Sequence, residues 1–320
     1  MANVLVKRSH NLHYLAWKIH TRPEIIASLV ARMNDSDGSL RRFYRRKDIP
    51  KSRGRKRIIL SPQGRLRLVQ DAIYQHLLRP QVCSRIAHGF VPGRSIITAL
   101  LPHLKADFVF MADMKEAFRS VPKKVVMEIF AQLGFKGETL EWITRFTWEK
   151  DFGLPQGAPT SGMLFNLACE EYDRFLISRC RGLGYQVSRY ADNIIISGRR
   201  PRTSSPEALD VDGRRLLYER FQFGGNWIRF GDLRNVKTVE ISETRPARVL
   251  GGLLTGNDIR LSGKILRHLR IAVYNAILSG DFSLYFGIRG YLFQWYGGIP
   301  PQVAGSIEKA RQRLEQAASW

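Results

Sequence analysis

Apolar positions recur at three- to four-residue spacing over residues 12–33, at Leu12, Leu15, Ala16 and Ile19 and again at Ile25, Ile26, Leu29 and Val30, so this stretch predicts helix. Pro23 suits the first turn of a second helix there, because the N–H it lacks would have no helical partner. Residues 63–78 keep the same rhythm through Leu66, Val69, Ile73 and Leu77, and 123–133, 138–148 and 161–181 read as three further helices. Strands have a different signature. "FVFMAD", residues 108–113, is a buried-strand pattern that ends in an acid. Residues 186–197 predict strand, turn and strand, with Asp192 at the turn, and 57–60 a short strand after a Gly-containing turn. The Pro-, Ser- and Arg-rich residues 199–213 predict a loop, 214–223 a return to helix, and 227–261 short strands broken at "GD", "GG" and "GN". From Ser262 onward the pattern is helical. The order implies an α+β core followed by a helical lobe.

Size and composition are compatible with that plan: 320 residues, 44% of them hydrophobic, can form one large domain or two to three lobes with a sizeable core. No apolar run approaches the ~20 residues of a membrane span. The first twenty residues lack the layout of a secretory signal, since His and Lys interrupt the apolar positions. Cys83, Cys169 and Cys180 have no metal-ligand spacing and read as reduced thiols of a cytoplasmic protein.

Charge changes the picture most. Fifty-one Lys and Arg against 28 Asp and Glu give +23, a field that a small neutral substrate does not require and a polyanion does. Residues 41–57, "RRFYRRKDIPKSRGRKR", concentrate it, with Phe43 and Tyr44 among the cations as rings on which bases can stack. A basic patch interleaved with aromatics points to nucleic acid.

Two apolar strands each present one aspartate, Asp113 and Asp192. Buried carboxylates on neighbouring strands repel unless a cation lies between them. Mg²⁺ suits such a pair, because it accepts few protein oxygens when phosphates supply the rest. Two such ions ~4 Å apart would clamp both oxygens of an in-line phosphoryl displacement. Between the acids lies "GLPQGAPTSGMLFNL", residues 153–167, where Gly157 and Pro159 set a turn, Thr160 or Ser161 is placed to cap the following helix, and Gln156 offers a donor and an acceptor at its mouth.

This ordered series resembles the palm of a reverse transcriptase of the bacterial retron, group II intron-like and defence-associated group. "HGFVPGRSIITALLPH" (88–103) resembles the fingers motif that precedes the first catalytic strand, "ADMKEAF" the motif bearing the first catalytic Asp, and "LPQGAPTSGMLFNL" the "QGxPTSxxLxNL" motif. "RYADN" stands where the family has a YxDD box. "NVKT" (235–238), "VLGGLLT" (249–255) and "IRGYLFQWY" (288–296) resemble the late palm motif, the primer-grip hairpin and a thumb-helix segment.

The resemblance implies a right-hand polymerase with N-terminal helices over 1–40, fingers over 41–105, a palm over 106–258 that carries a fingers insertion near 124–160, and a short helical thumb over 259–320. It implies Asp113 and Asp192 as catalytic metal ligands, helped by the backbone carbonyl of Met114, for Mg²⁺ or alternatively Mn²⁺. Arg55 and Arg57, with Lys56 beside them, would approach the triphosphate of a dNTP. Gln156 and Gly157 would meet the incoming nucleotide, Phe118 would be the steric gate against a ribose 2′-hydroxyl, and Lys237 would serve the pyrophosphate side. Tyr190 and Asn193 are the motif neighbours of Asp192. The implied partners are an RNA template, the DNA product and an effector protein or a second copy, with no membrane. The implied setting is a retron or an anti-phage defence system.

Departures leave alternatives open. Asn193 replaces the second acid of the box, and the fingers stretch keeps His103 but carries Ala99 and Leu100. A retron and another bacterial reverse transcriptase class both fit. So do a catalytically silenced RNA-binding scaffold and a template-independent or protein-primed DNA polymerase on the same fold.

Overall fold

The computed structural model describes residues 11–34, 41–50, 56–199, 221–223, 226–228, 231–242 and 244–318. The basic stretch is a hairpin. β1 (Tyr44–Pro50) pairs antiparallel with β2 (Lys56–Pro62), with Ile49 opposite Arg57. β1 is exposed along nearly all its length, whereas β2 runs into buried Leu60 and Pro62.

The centre is a four-stranded antiparallel sheet of β3 (Phe108–Lys115), β4 (Gln186–Tyr190), β5 (Asn193–Gly198) and β8 (Gly231–Glu240), in the order β4-β5-β3-β8. A small hairpin joins β6 (Phe221–Phe223) to β7 (Asn226–Ile228), and a three-stranded meander comprises β9 (Ala247–Val249), β10 (Gly252–Leu254) and β11 (Ile259–Leu261).

Alternation along the strands explains the apolar runs. Phe110, Ala112 and Met114 of β3 and Ile194 and Ile196 of β5 enter a core with Val125, Phe130, Phe146 and Leu164 of the flanking helices. Val109 and Ile195 enter a second core with Leu254, Val273, Leu292 and Trp295. Both faces are thus covered, so three isoleucines in a row are all buried. Asp113 pairs directly with Asn193, and by the same alternation both fall on the second face.

Helices follow the apolar rhythm, with three corrections. Residues 11–18 and Pro23–Asn34 form two helices as expected. The single helix expected over 161–181 is two, Ser161–Ala168 and Glu170–Gly182, joined at Cys169. Thr160 occupies the N-cap position without a capping bond, and Ser161 donates instead to the Pro155 carbonyl at 2.7 Å. Phe221–Phe223 is a strand rather than the end of a helix, because it pairs with Asn226–Ile228, which begins three residues after Phe223. The expected loop at 200–213 and the remainder of the expected helix at 214–220 lie outside the described residues. The helical C-terminal region is three helices, Gly263–Leu278, Phe282–Tyr296 and Pro301–Ala318. Among the described residues no helix is long and apolar enough to cross a membrane.

His103 ties the fingers-like stretch to the sheet from below. Its Nδ1 lies 2.6 Å from the Ser197 hydroxyl and its Nε2 2.8 Å from that of Ser188. Burial, aided by the neighbouring His88, pushes the imidazole down to about 3. The unfolded chain therefore binds a proton below about pH 6.5 that the folded chain refuses until about pH 3. Stability accordingly falls as pH is lowered through that window. Between pH 7 and pH 5 the wild type should lose about 2 kcal/mol more than His103→Gln. Urea unfolding at the two pH values measures this, and equal losses would show that His103 is not the titrating group.

Candidate active site

A cleft of about 610 Å³ opens between several chain segments, among them β2, the loop that leads into the helix Ser161–Ala168, and the β4–β5 turn. Arg57 and Ile59 come from β2, Gln156 and Gly157 from the loop, Ala191 and Asp192 from the turn. The loop is fastened to β2 and to the segment that follows β3. Leu60 N–H donates to the Gln156 carbonyl at 2.7 Å, and Leu154 N–H donates to the Phe118 carbonyl at 3.0 Å. Gly157 has φ +110, and a Cβ there would stand 2.8 Å from Ile59 Cγ2. Any other residue would be strained in backbone and would push the loop off β2. Phe118 lies flat against Phe165, with centroids 4.8 Å apart and planes 18° apart, so the ring presents a braced wall to the cleft.

The turn carrying Asp192 is held from beneath. Ala191 has φ +54, a conformation that costs a non-glycine residue about 1–2 kcal/mol. Arg189, wholly buried, forms a bidentate pair with the equally buried Asp173, both contacts at 2.7 Å. Its remaining terminal nitrogen donates to the Ala191 carbonyl at 2.9 Å and to Asn166 Oδ1 at 3.1 Å. Asn166 in turn donates to the Gly89 carbonyl at 2.7 Å, and Gly89 abuts the Ala191 backbone so closely that a Cβ would stand 2.6 Å from its nitrogen. Burial pulls the Arg189 guanidinium down, but the Asp173 carboxylate outweighs it and holds the group above its ordinary value. The phenol of half-buried Tyr190 is pushed up by burial.

The backbone joins the two segments that carry the expected acids. Met114 N–H donates to the Asp192 carbonyl at 2.9 Å, and Asp113 stands opposite Asn193, the residue after Asp192. Directly paired residues place their Cβ atoms about 5 Å apart. Both acids are half-buried rather than buried, a correction to the sequence reading. Asp192 lines an open cleft, where phosphate and water can complete a cation's shell, and Asp113 lies on the strand that adjoins it. Among the described residues no group of three His, Cys, Asp or Glu gathers. Two carboxylates and a backbone carbonyl fit a hard cation that takes its other oxygens from a substrate. Asn193 Nδ2 donates to Asp192 Oδ1 at 3.2 Å, orienting that carboxylate in a way a second acid could not.

The cleft collects Arg57, Phe118, Gln156, Gly157 and Asp192. Asp113 and Met114 reach the site as the strand paired to it. Lys237 is exposed on β8 opposite Met111, outside the cleft lining, and the register slips by one residue between Lys237 and Arg234, next to Asp113. Bulges of this kind re-aim side chains beside active sites. Arg55 lies outside the described residues. Three lining residues escaped the sequence reading: Arg67, Tyr74 and Phe90. Arg67 and Tyr74 sit on a helix read only for its apolar face, with Arg67 paired to Asp71 at 2.6 Å. Phe90 stands within a quoted motif, and the glycine before it was the available signal.

Residues 49–229 match the family model described as "Reverse transcriptase (RNA-dependent DNA polymerase)". Among curated proteins, the chain is 33% identical over 281 residues to the retron Mx65 reverse transcriptase of Myxococcus xanthus, covering 82% of this chain and 63% of that protein. It is 29% identical over 249 residues to the retron Mx162 reverse transcriptase of the same organism, covering 71% and 51%. With the retron Ec86 reverse transcriptase of Escherichia coli it shares 26% over 239 residues, covering 74% and 70%. The chain thus spans between half and two-thirds of the length of the two Myxococcus proteins.

Proposed function

Because the chain belongs to the reverse transcriptase family, as a bacterial retron-type member, we propose that it is an RNA-directed DNA polymerase that extends a primer with dNTPs on a structured RNA template. The observation that carries this reading is the cleft in which Arg57, Gln156, Phe118 and the Asp192 turn converge, with Asp113 on the adjoining strand. The division of labour is that of a hand. It assigns the N-terminal helices to 1–40, the fingers to 41–105, the palm to 106–258 with a fingers insertion near 124–160, and the thumb to 259–320.

In this reading Arg57, with Lys56 beside it on β2 and Arg55 before them in the sequence, binds the triphosphate, where guanidinium forks match phosphate oxygens. Gln156 and the close-packed Gly157 seat the nucleotide, and the braced Phe118 lies under its sugar. Lys237 approaches the pyrophosphate side from β8. A pair of Mg²⁺ ions, or Mn²⁺ in their place, held by Asp113, Asp192 and the Met114 carbonyl would supply Lewis acidity to the attacking and leaving oxygens. Net charge +23 and the exposed basic hairpin support RNA as partner. Three buried thiols without a disulfide support a reducing, cytoplasmic location. The retron or anti-phage setting, and an effector protein or second copy as partner, extend the same reading.

Primer extension on an RNA template with Mg²⁺, then Mn²⁺, tests it. Template-dependent DNA synthesis is expected. Failure with both ions while RNA still binds would make the chain a silenced scaffold, and incorporation without template would make it a terminal transferase.

Asn193 gives a sharper expectation. Asn193→Asp removes the amide that donates to Asp192 and adds a charge at the cation site. The Mg²⁺ concentration for half-maximal extension should fall by about an order of magnitude. A Mg²⁺ titration that leaves the midpoint unmoved or raises it would remove the charge argument.

A further inference from the structure

Phe90 is an anomaly that the polymerase reading does not use. It is a bulky residue at φ +62, a genuine outlier for such a side chain. The residue is 53% exposed, so burial offsets little of the strain. It faces the cleft and meets Phe118 edge to face, with centroids 5.8 Å apart and planes 86° apart. Its ring also lies over Gly162, where a Cβ would stand 2.7 Å from Phe90 Cδ1. Strain of this kind persists where the surroundings enforce it, and it clusters at sites that bind ligands.

We propose that Phe90 is a specificity-determining residue: with Phe118 it forms a rigid aromatic corner that receives the deoxyribose of the incoming nucleotide and excludes a ribose 2′-hydroxyl. The inference rests on the polymerase reading and adds a second wall to it. Rejecting one hydroxyl by shape requires a wall that does not yield, since a soft wall simply moves aside. Phe118 alone is backed on one face by Phe165. Phe90 closes the open edge, which prevents Phe118 from swinging along the cleft. Neither ring carries a polar group that could accept or donate to the extra hydroxyl, so its desolvation goes uncompensated. Gly162 is the third member, because only a residue without Cβ lets the Phe90 ring settle there.

The test is single-nucleotide extension on an RNA template, comparing kcat/KM for dCTP and CTP. Phe90→Ala should reduce the preference for dCTP by about tenfold or more, chiefly by raising kcat/KM for CTP. Gly162→Ala, which displaces the ring, should reduce it similarly. In the Phe90→Gly background Gly162→Ala should then change nothing further, because both the ring and the Cβ that it would displace are gone. Phe90→Gly serves as the second variant, since glycine relaxes at positive φ and removes the ring without strain. An unchanged dCTP/CTP ratio in an active Phe90→Ala or Phe90→Gly enzyme overturns the proposal. So does a fall in dCTP incorporation at constant ratio, which would assign the ring to base stacking. A wild type that incorporates neither nucleotide overturns the polymerase reading and the proposal with it.

Discussion

Asp192→Asn should lower primer extension by about a thousandfold or more, and Asp113→Asn by a similar factor, with RNA affinity within about twofold of wild type. A thousandfold is about 4 kcal/mol of barrier, which is what loss of a metal ligand at a phosphoryl-transfer site withdraws. Both acids are half-buried, Asp192 in the cleft lining and Asp113 on the adjoining strand, so neither substitution opens a cavity or strands a buried charge, and thermal stability should move by less than about 1 kcal/mol. RNA binding is carried by the summed positive field, in which one carboxylate out of 28 acids is a minor term. Single-turnover extension with filter binding in parallel separates the two effects. Extension by Asp192→Asn within tenfold of wild type would show that the carboxylate is not a metal ligand and would end the two-acid reading.

Those two acids were legible in the sequence because each adjoins a run buried on both faces, where a carboxylate is costly unless a cation or a partner meets it. The Ile194–Ile196 run and Phe108–Met111 announced a two-sided sheet for the same reason. β1 was not legible, since it is held by pairing to β2 while its side chains are solvated, and no apolar alternation marks it. Phe221–Phe223 read as the end of a helix because short windows do not register a partner strand. At the site, residues within one motif were found, whereas those assembled across segments were not. Tyr74 and Arg67 join the cleft only because a helix chosen for its apolar stripe turns another edge toward β2 and the loop. Arg189 read as a lead-in to the box. Its burial depends on Asp173, sixteen residues earlier on the helix Glu170–Gly182, and on Asn166. An arginine inside an otherwise closed strand demands a buried acid, but sequence alone does not say which of several supplies it.

That arginine gives the second large expectation. Arg189→Met should lower the free energy of unfolding by about 3–5 kcal/mol, because Asp173 is left as a buried charge without its bidentate partner. The loss is a penalty of imbalance rather than the worth of the pair. Arg189→Met combined with Asp173→Leu should therefore recover most of the stability, as apolar replacement of a buried ion pair commonly does. Activity should not recover with it. Arg189 also donates to the carbonyl of Ala191, the residue at φ +54 immediately before Asp192, and neither Met nor Leu replaces that donor. With the turn free to relax out of its left-handed conformation, Asp192 loses its fixed position relative to Asp113. Misplacement of about 1 Å at a reacting centre costs on the order of a hundredfold, so the stable double variant should extend primers at least tenfold more slowly than wild type. Denaturant unfolding and single-turnover extension on the same preparations decide the matter. A double variant that is both stable and fully active would show that Arg189 serves folding alone, and that the strained turn keeps its shape without help from below.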